Sequence, residues 1–456
     1  MDAAELDRRS RTYDGWIPPW VVSLLVEHGH LEEVRVQAGR GDWYCARRVA
    51  ELLIEEGRRE DGLEVLRSFV DSGWWGAADV VAGLLDEWGR TDEAVALVRP
   101  YAEDGERLAV HRLAQLLAGQ GRVDEVITLL GPHTDDWFLA EALVQLTEGY
   151  GRDAEVLALL PGVGAGLECS GRCQDEVGTA GLRARVLERQ GRVDEAVTLL
   201  SAFAWRGNVV HVNLVKQVAD VLARHGRETE LRELVAGRGD DHAAYRLAAL
   251  LEKRGLVDEA VDALRPFVTR GSPNAAWTTA DLLKRHGRVD EAIEVLLPVP
   301  AVMGGDLDWI VHELWTLLAD QGRADQALAA IDDIAGQVGG MSEELFLQRI
   351  RLLAYCGRHE QAIDELRAHP EADAWYMVSE LADLLADAGR LDEAVAVMEP
   401  VCRATGSHHN SLAQLMIRQG RAKEAVALLS ERRAVAGPRN PWGAVDASGY
   451  SADPPF

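Results

Sequence analysis

Cysteine is scarce in this chain. The five residues Cys45, Cys169, Cys173, Cys356 and Cys402 are odd in number and scattered over 456 positions. A disulfide framework is not expected, and a cytosolic location fits. Lysine is scarcer, with four residues (Lys216, Lys253, Lys284, Lys423) against forty-four arginines, a bias that a GC-rich genome explains. Long apolar runs are missing as well. Met1 to Asp14 is charged, and Trp20 to Val26 is short and broken by Ser23, so neither a secretory leader nor a membrane span is expected. Basic residues are outnumbered 48 to 75, which leaves a net charge of -27. Phosphate neutralisation needs clustered Lys and Arg, so nucleic acid and anionic membranes are excluded as expected partners.

Catalytic signatures are also wanting. The chain has no Gly-x-x-x-x-Gly-Lys phosphate loop and no histidine-glutamate metal motif. Cys169 and Cys173 stand four apart, but zinc takes about four ligands, and no second pair or nearby histidine accompanies them. The His408-His409 doublet reads as a solvated helix start. No enzymatic activity, cofactor or metal is expected.

What the chain does have is repetition. Gly-Arg-Val-Asp-Glu-Ala or a near variant recurs at thirteen glycines: Gly29, Gly57, Gly89, Gly121, Gly151, Gly191, Gly226, Gly255, Gly287, Gly322, Gly357, Gly389 and Gly420. Their spacing of 28 to 40 residues marks stacked supersecondary units, numbered 1 to 13 below by these glycines. In the unit of Gly287, Ala276, Trp277, Ala280, Leu282 and Leu283 recur at helical spacing upstream. Ala292, Ile293, Val295 and Leu296 form a second stripe downstream. Two such stripes split by a glycine predict an antiparallel helical hairpin. Gly287 suits the left-handed position that ends a helix, and Asp290 is expected to cap the next one, with Glu291 complementing its dipole.

Small residues occupy fixed places in both helices. Alanine lies seven before the marker in nine units (Ala50, Ala82, Ala114, Ala184, Ala219, Ala248, Ala280, Ala382, Ala413). It lies five after the marker in eight (Ala94, Ala196, Ala260, Ala292, Ala327, Ala362, Ala394, Ala425). Such a pair lets the two backbones approach closely. With the Gly-x-x-Asp-Glu-Ala segment, this pattern resembles the tetratricopeptide repeat family, with some flavour of Sel1-like repeats, over residues 15 to 430. The resemblance implies an all-α, right-handed α-solenoid of about thirteen hairpins. Residues 1–14 are read as a lead-in, and the Pro/Gly-rich 431–456 as a disordered tail. Contacts are expected between nearest neighbours only. The family has a proline about seventeen after the marker, whereas Pro100, Pro132, Pro266, Pro298 and Pro400 come at eleven. A short or kinked second helix is expected there.

Three places break the rhythm. Ala38 to Asp42 and Ala236 to Asp240 each contain Arg-Gly-Asp after a shortened second helix, and Asp42 and Asp240 are expected caps. The stretch Pro161 to Gly181, glycine-rich and carrying Cys169 and Cys173, reads as a flexible loop between helices.

In the family resembled, first helices line a concave groove that holds peptides or partner helices. Residues thirteen, ten and six before each marker should face it. The densest patch so placed is Asn213, Lys216, Asp220, Tyr245, Trp277, Asp281, Trp309 and His312. Tyr44, Arg47, His111, Gln115 and Tyr376 occupy the same positions elsewhere, as does Trp16. These residues are polar or aromatic and vary between units, as a recognition surface would. The expected function is a non-catalytic interaction scaffold for a partner protein or peptide. The alternatives are a peptide- or ligand-sensing regulator whose curvature changes on binding, and an accessory subunit of an enzyme complex.

Overall fold

The structure, a computed structural model, describes residues 2–13, 16–163, 173–206, 209–238, 241–300, 308–405 and 408–435. Among them the fold is all-α, a run of helix-turn-helix repeats, save for one two-residue ladder pairing Trp205–Arg206 with Val209–Val210. Repeat 9 shows how the sequence builds a unit. Ser272 Oγ accepts from the Ala275 amide, and Pro273 opens the first helix, Pro273–Arg285. Gly287, at φ 75°, then reverses the chain while the Arg288 amide reaches back to the Leu283 carbonyl (2.9 Å). All thirteen marker glycines sit at φ between 66° and 83°, where a Cβ would be strained. The second helix, Val289–Leu296, packs back on the first. Every alanine of the two series is buried, so the hairpin is tight because its contact positions carry only a methyl group.

The start of the second helix corrects one expectation. Arg288, not Asp290, holds the N-cap position, and no side chain caps it. Asp290 lies inside the helix and accepts from Arg323 Nη1 of repeat 10 (2.5 Å). Arg288 in turn reaches Asp258 of repeat 8 (2.7 Å) and forks onto Glu291 of its own turn (2.6 and 2.7 Å). The same ladder joins Arg227 to Asp194 and Arg390 to Glu360. The aspartate thus ties one repeat to the next, and the glutamate fixes the arginine. Exposed pairs of this kind contribute at most about 1 kcal/mol each, so they set register while apolar burial holds the stack.

The prolines divide two ways. Helices Thr91–Glu103, Val257–Thr269 and Leu391–Thr405 run through Pro100, Pro266 and Pro400, whereas Val123–Leu130 and Val289–Leu296 stop before Pro132 and Pro298. Only the last two are short, as expected. Pro132 follows a glycine and Pro298 is followed by Pro300 two places on, so both lie in poorer helical context.

The chain divides into two compact units: Ala82–Arg358, and a second joining Met1–Val81 to His359–Phe456. In the latter, contacts are not confined to sequence neighbours. Helix Pro19–Glu27 of repeat 1 packs on His409–Arg418 of repeat 13. The stretch read as a lead-in forms a helix, Ala3–Thr12, capped by Asp2 and burying Leu6. The final helix continues to Val435, past the expected boundary at 430, and positions 436–456 lie outside the described residues.

The irregular places resolve unevenly. Asp42 caps Trp43–Glu55 through the Cys45 amide (3.0 Å) and also accepts from the Ile17 amide (2.5 Å). The Arg-Gly-Asp triplet here is a helix-capping turn that buries Asp42 and leaves Arg40 exposed. Asp240 and Cys169 lie outside the described residues, while Cys173 already opens the helix Cys173–Arg189. Trp16, expected on the groove, is buried instead. It precedes its helix, so its ring turns inward against Tyr44 and Trp74 while its indole donates to the Gly41 carbonyl (3.0 Å).

Candidate partner-binding face

Successive first helices lie against one another: Val212–Arg224 on Asp241–Lys253, and Asp241–Lys253 on Pro273–Arg285. Helical spacing aligns Lys216, Asp220 and Arg224 on one, and Trp277, Asp281 and Arg285 on another. Asp308–Asp320 of repeat 10 carries Trp309 and His312. Trp277 and Trp309 leave 41% and 39% of their surface exposed, although the apolar residues flanking them in sequence are buried. Asn213 and Lys216 are exposed and make no hydrogen bond or ion pair among the described residues. His312 is exposed too, its ring edge-on to Trp315 at 4.6 Å.

Other predicted members are engaged with neighbours. Asp220 receives His242 Nε2 (3.0 Å) and Arg246 from repeat 8. Asp281 pairs with Arg285, and the Tyr245 hydroxyl donates to Asp241 (3.3 Å). Beside Asp220, a pocket of about 180 Å³ is walled by Arg224, Arg246, Leu250 and Lys253. Burial raises the pKa of Asp220, but hydrogen bonds from His242 and Arg246 outweigh that and leave it below the usual value. It is therefore an anion already neutralised within the face.

An arginine-histidine pair recurs at the C-terminal end of first helices. Arg224 and His225 both hold Glu188 of the preceding repeat (2.8 to 3.0 Å), and Arg285 and His286 hold Glu252 likewise (2.9 to 3.1 Å). The Arg224 hydrogen bond leads in lowering the Glu188 pKa, and the Arg285 bond does the same for Glu252. A carboxylate depressed in the folded state adds stability above its unfolded pKa of about 4.3, and that stability fades as pH falls through the folded value. Thermal unfolding followed against pH should show stability falling below about pH 4.3. Glu188→Gln should be less stable at pH 7, with a shallower acid slope; an unchanged slope would remove Glu188 from the account.

Elsewhere the predicted positions diverge. Gln115 and Arg47 are exposed, the latter paired with Glu51 (3.0 Å). Half-buried His111 lies 4.7 Å from the Phe138 ring. Tyr376 donates to Glu371 (2.6 Å). Tyr44 is covered by the N-terminal helix: its hydroxyl donates to the Ser10 carbonyl (3.0 Å), and burial pushes its pKa up to about 12. The residues missed are Trp137 and Trp375, 64% and 54% exposed, each one place before the expected position. Their signal was in the sequence, since tryptophan stands fourteen before the marker in four units (Trp43, Trp75, Trp137, Trp375). The pattern does not separate buried Trp43 from its exposed counterparts.

The tetratricopeptide repeat family matches three segments, residues 177–202, 378–400 and 406–431. No curated protein sequence matches the chain. Among solved structures, the chain is similar to Naa15/Naa10 bound to HypK-THB, at 14% identity and TM-score 0.46, covering 90% of this chain and 69% of that one. It is similar to yeast Tom70 at 12% identity and TM-score 0.32, covering 79% and 91%. The pentatricopeptide repeat protein PPR10 from maize is similar at 16% identity and TM-score 0.32, covering 86% and 63%.

Proposed function

We propose that this chain, a tetratricopeptide-repeat protein, is a non-catalytic scaffold that holds a partner protein or peptide on the first helices of repeats 7 to 10. One observation carries the reading. Trp277 and Trp309 stay exposed on helices whose other large apolar residues are buried, and Asn213 and Lys216 of repeat 7 are exposed with no side-chain hydrogen bond or ion pair among the described residues. Packing does not require indoles there. Large rigid rings flanked by hydrogen-bonding groups are what protein interfaces use as anchors. A peptide laid across the helices would bury both rings and bond its backbone to Asn213, Lys216 and His312.

The test is capture of a stoichiometric partner by the full chain, repeated with Trp277→Ala and Trp309→Ala. Each substitution should weaken binding by about 2 kcal/mol, roughly thirtyfold, and circular dichroism should show helical content intact. A partner that binds the double variant with unchanged affinity would place the site elsewhere, with Trp137 and Trp375 the next aromatics to replace.

A further inference from the structure

Two positions of a repeat look toward the repeat that follows. One is three before the marker glycine. Glu188 and Glu252 there take the arginine-histidine pair of the next repeat, and Lys284 meets Glu313 of the next (3.3 Å). The other is three after the glycine. Asp194, Asp258, Asp290, Asp325 and Glu360 each accept from the arginine directly behind the next marker.

Repeat 13 is the last of the thirteen that the glycines mark, yet its first helix meets repeat 1. Ile417, three before Gly420, is wholly buried; that place holds Glu188, Glu252 or Lys284 in repeats 6, 8 and 9 and alanine in five others. Lys423, three after, lines a pocket of about 550 Å³ whose other wall is His30, Glu32, Glu33 and Val36 of repeat 1. Helices Pro19–Glu27 and His409–Arg418 are in contact. Repeat 1 thus meets repeat 13 first helix to first helix.

The charges at this junction are reversed. The ladder elsewhere sets an acid of the earlier repeat against an arginine of the later one. Here the earlier side offers Lys423 next to an Arg421–Glu424 pair, and the later side offers His30 with Glu32 and Glu33. Among the described residues, Glu32 and Glu33 are tied only to their own helix, by Arg35 (2.7 Å) and Gln37 (2.8 Å). Lys423 is exposed and makes no hydrogen bond or ion pair among the described residues. A repeat with arginine behind its glycine would set that arginine against Lys423 and be repelled, which eleven of the thirteen would do. We propose that repeat 13 carries a docking surface specific for repeat 1 of the same chain, with Ile417 as its apolar contact and Lys423 selecting Glu32 and Glu33 by sign of charge.

Hydrogen exchange on the full chain tests this, because the readout lies far from the substitution in sequence. Ile417→Asp should speed exchange in Pro19–Glu27 about tenfold or more and leave Pro273–Arg285 unchanged. Lys423→Glu, on an exposed side chain, should speed it by about threefold, and adding Glu32→Lys with Glu33→Lys should restore protection. Unchanged exchange in Pro19–Glu27 in both variants would overturn the proposal. So would protection of that helix in the unsubstituted chain that falls on dilution, with light scattering showing a dimer, since a second copy would then supply the contact.

Discussion

Ala292→Asp should remove repeat 9 from the cooperative stack at a cost of about 3–5 kcal/mol, the penalty for an uncompensated buried charge. Ala292 and Ala280 are both buried in this hairpin, whose helices pack on each other, so a carboxylate there has no route to water without parting them. The neighbours should suffer less, because each repeat rests mainly on the adjoining ones. Urea unfolding followed by circular dichroism would show an earlier, broader transition. Hydrogen exchange would place the loss in Pro273–Leu296. Ala292→Gly, which removes one methyl and adds backbone freedom, should cost only about 1 kcal/mol. A midpoint equal to that of the unsubstituted chain would mean this alanine does not set the helix spacing.

Trp315→Ala is expected to cost a similar amount, about 3–5 kcal/mol, by a different route. The ring is buried between the first helices of repeats 10 and 11, stacks edge-on with Tyr355 at 5.5 Å, and donates its indole N–H to Gln348 (2.9 Å). Truncation leaves a cavity and a buried amide oxygen without its donor. Trp315→Phe separates the two, since it keeps most of the ring and loses the hydrogen bond, for about 1–3 kcal/mol. The comparison matters for function, because Trp309 and His312 stand on the same helix. If Trp315→Phe spares partner binding while Trp309→Ala abolishes it, the exposed ring is the anchor and the buried one its support. Equal loss in both would point to the helix as a whole.

Much of the repeat was legible in the residues. Thirteen glycines predicted positive φ, and every one adopts it, because no other residue is at ease there. The alanine series predicted close helix contact, and all of its members are buried. The Asp-Glu pair was harder to read. An acid in the first turn of a helix has one sequence signature whether it caps that helix or receives an arginine from the next repeat. Asp290 proved to be of the second kind. The site divides similarly. Trp277 and Trp309 lie exposed at the predicted positions, whereas Trp16 falls before its helix begins and turns into an aromatic cluster with Tyr44 and Trp74.

The sequence by itself determined the unit, its turn and its contact residues, since these rest on local backbone preference and on an apolar period readable within some thirty residues. Only the tertiary structure decided which acid meets which arginine, which tryptophans stay outside, and that repeat 1 packs against repeat 13. Those outcomes depend on what lies across space from a side chain, and a periodic pattern holds no record of a neighbour from a distant part of the chain.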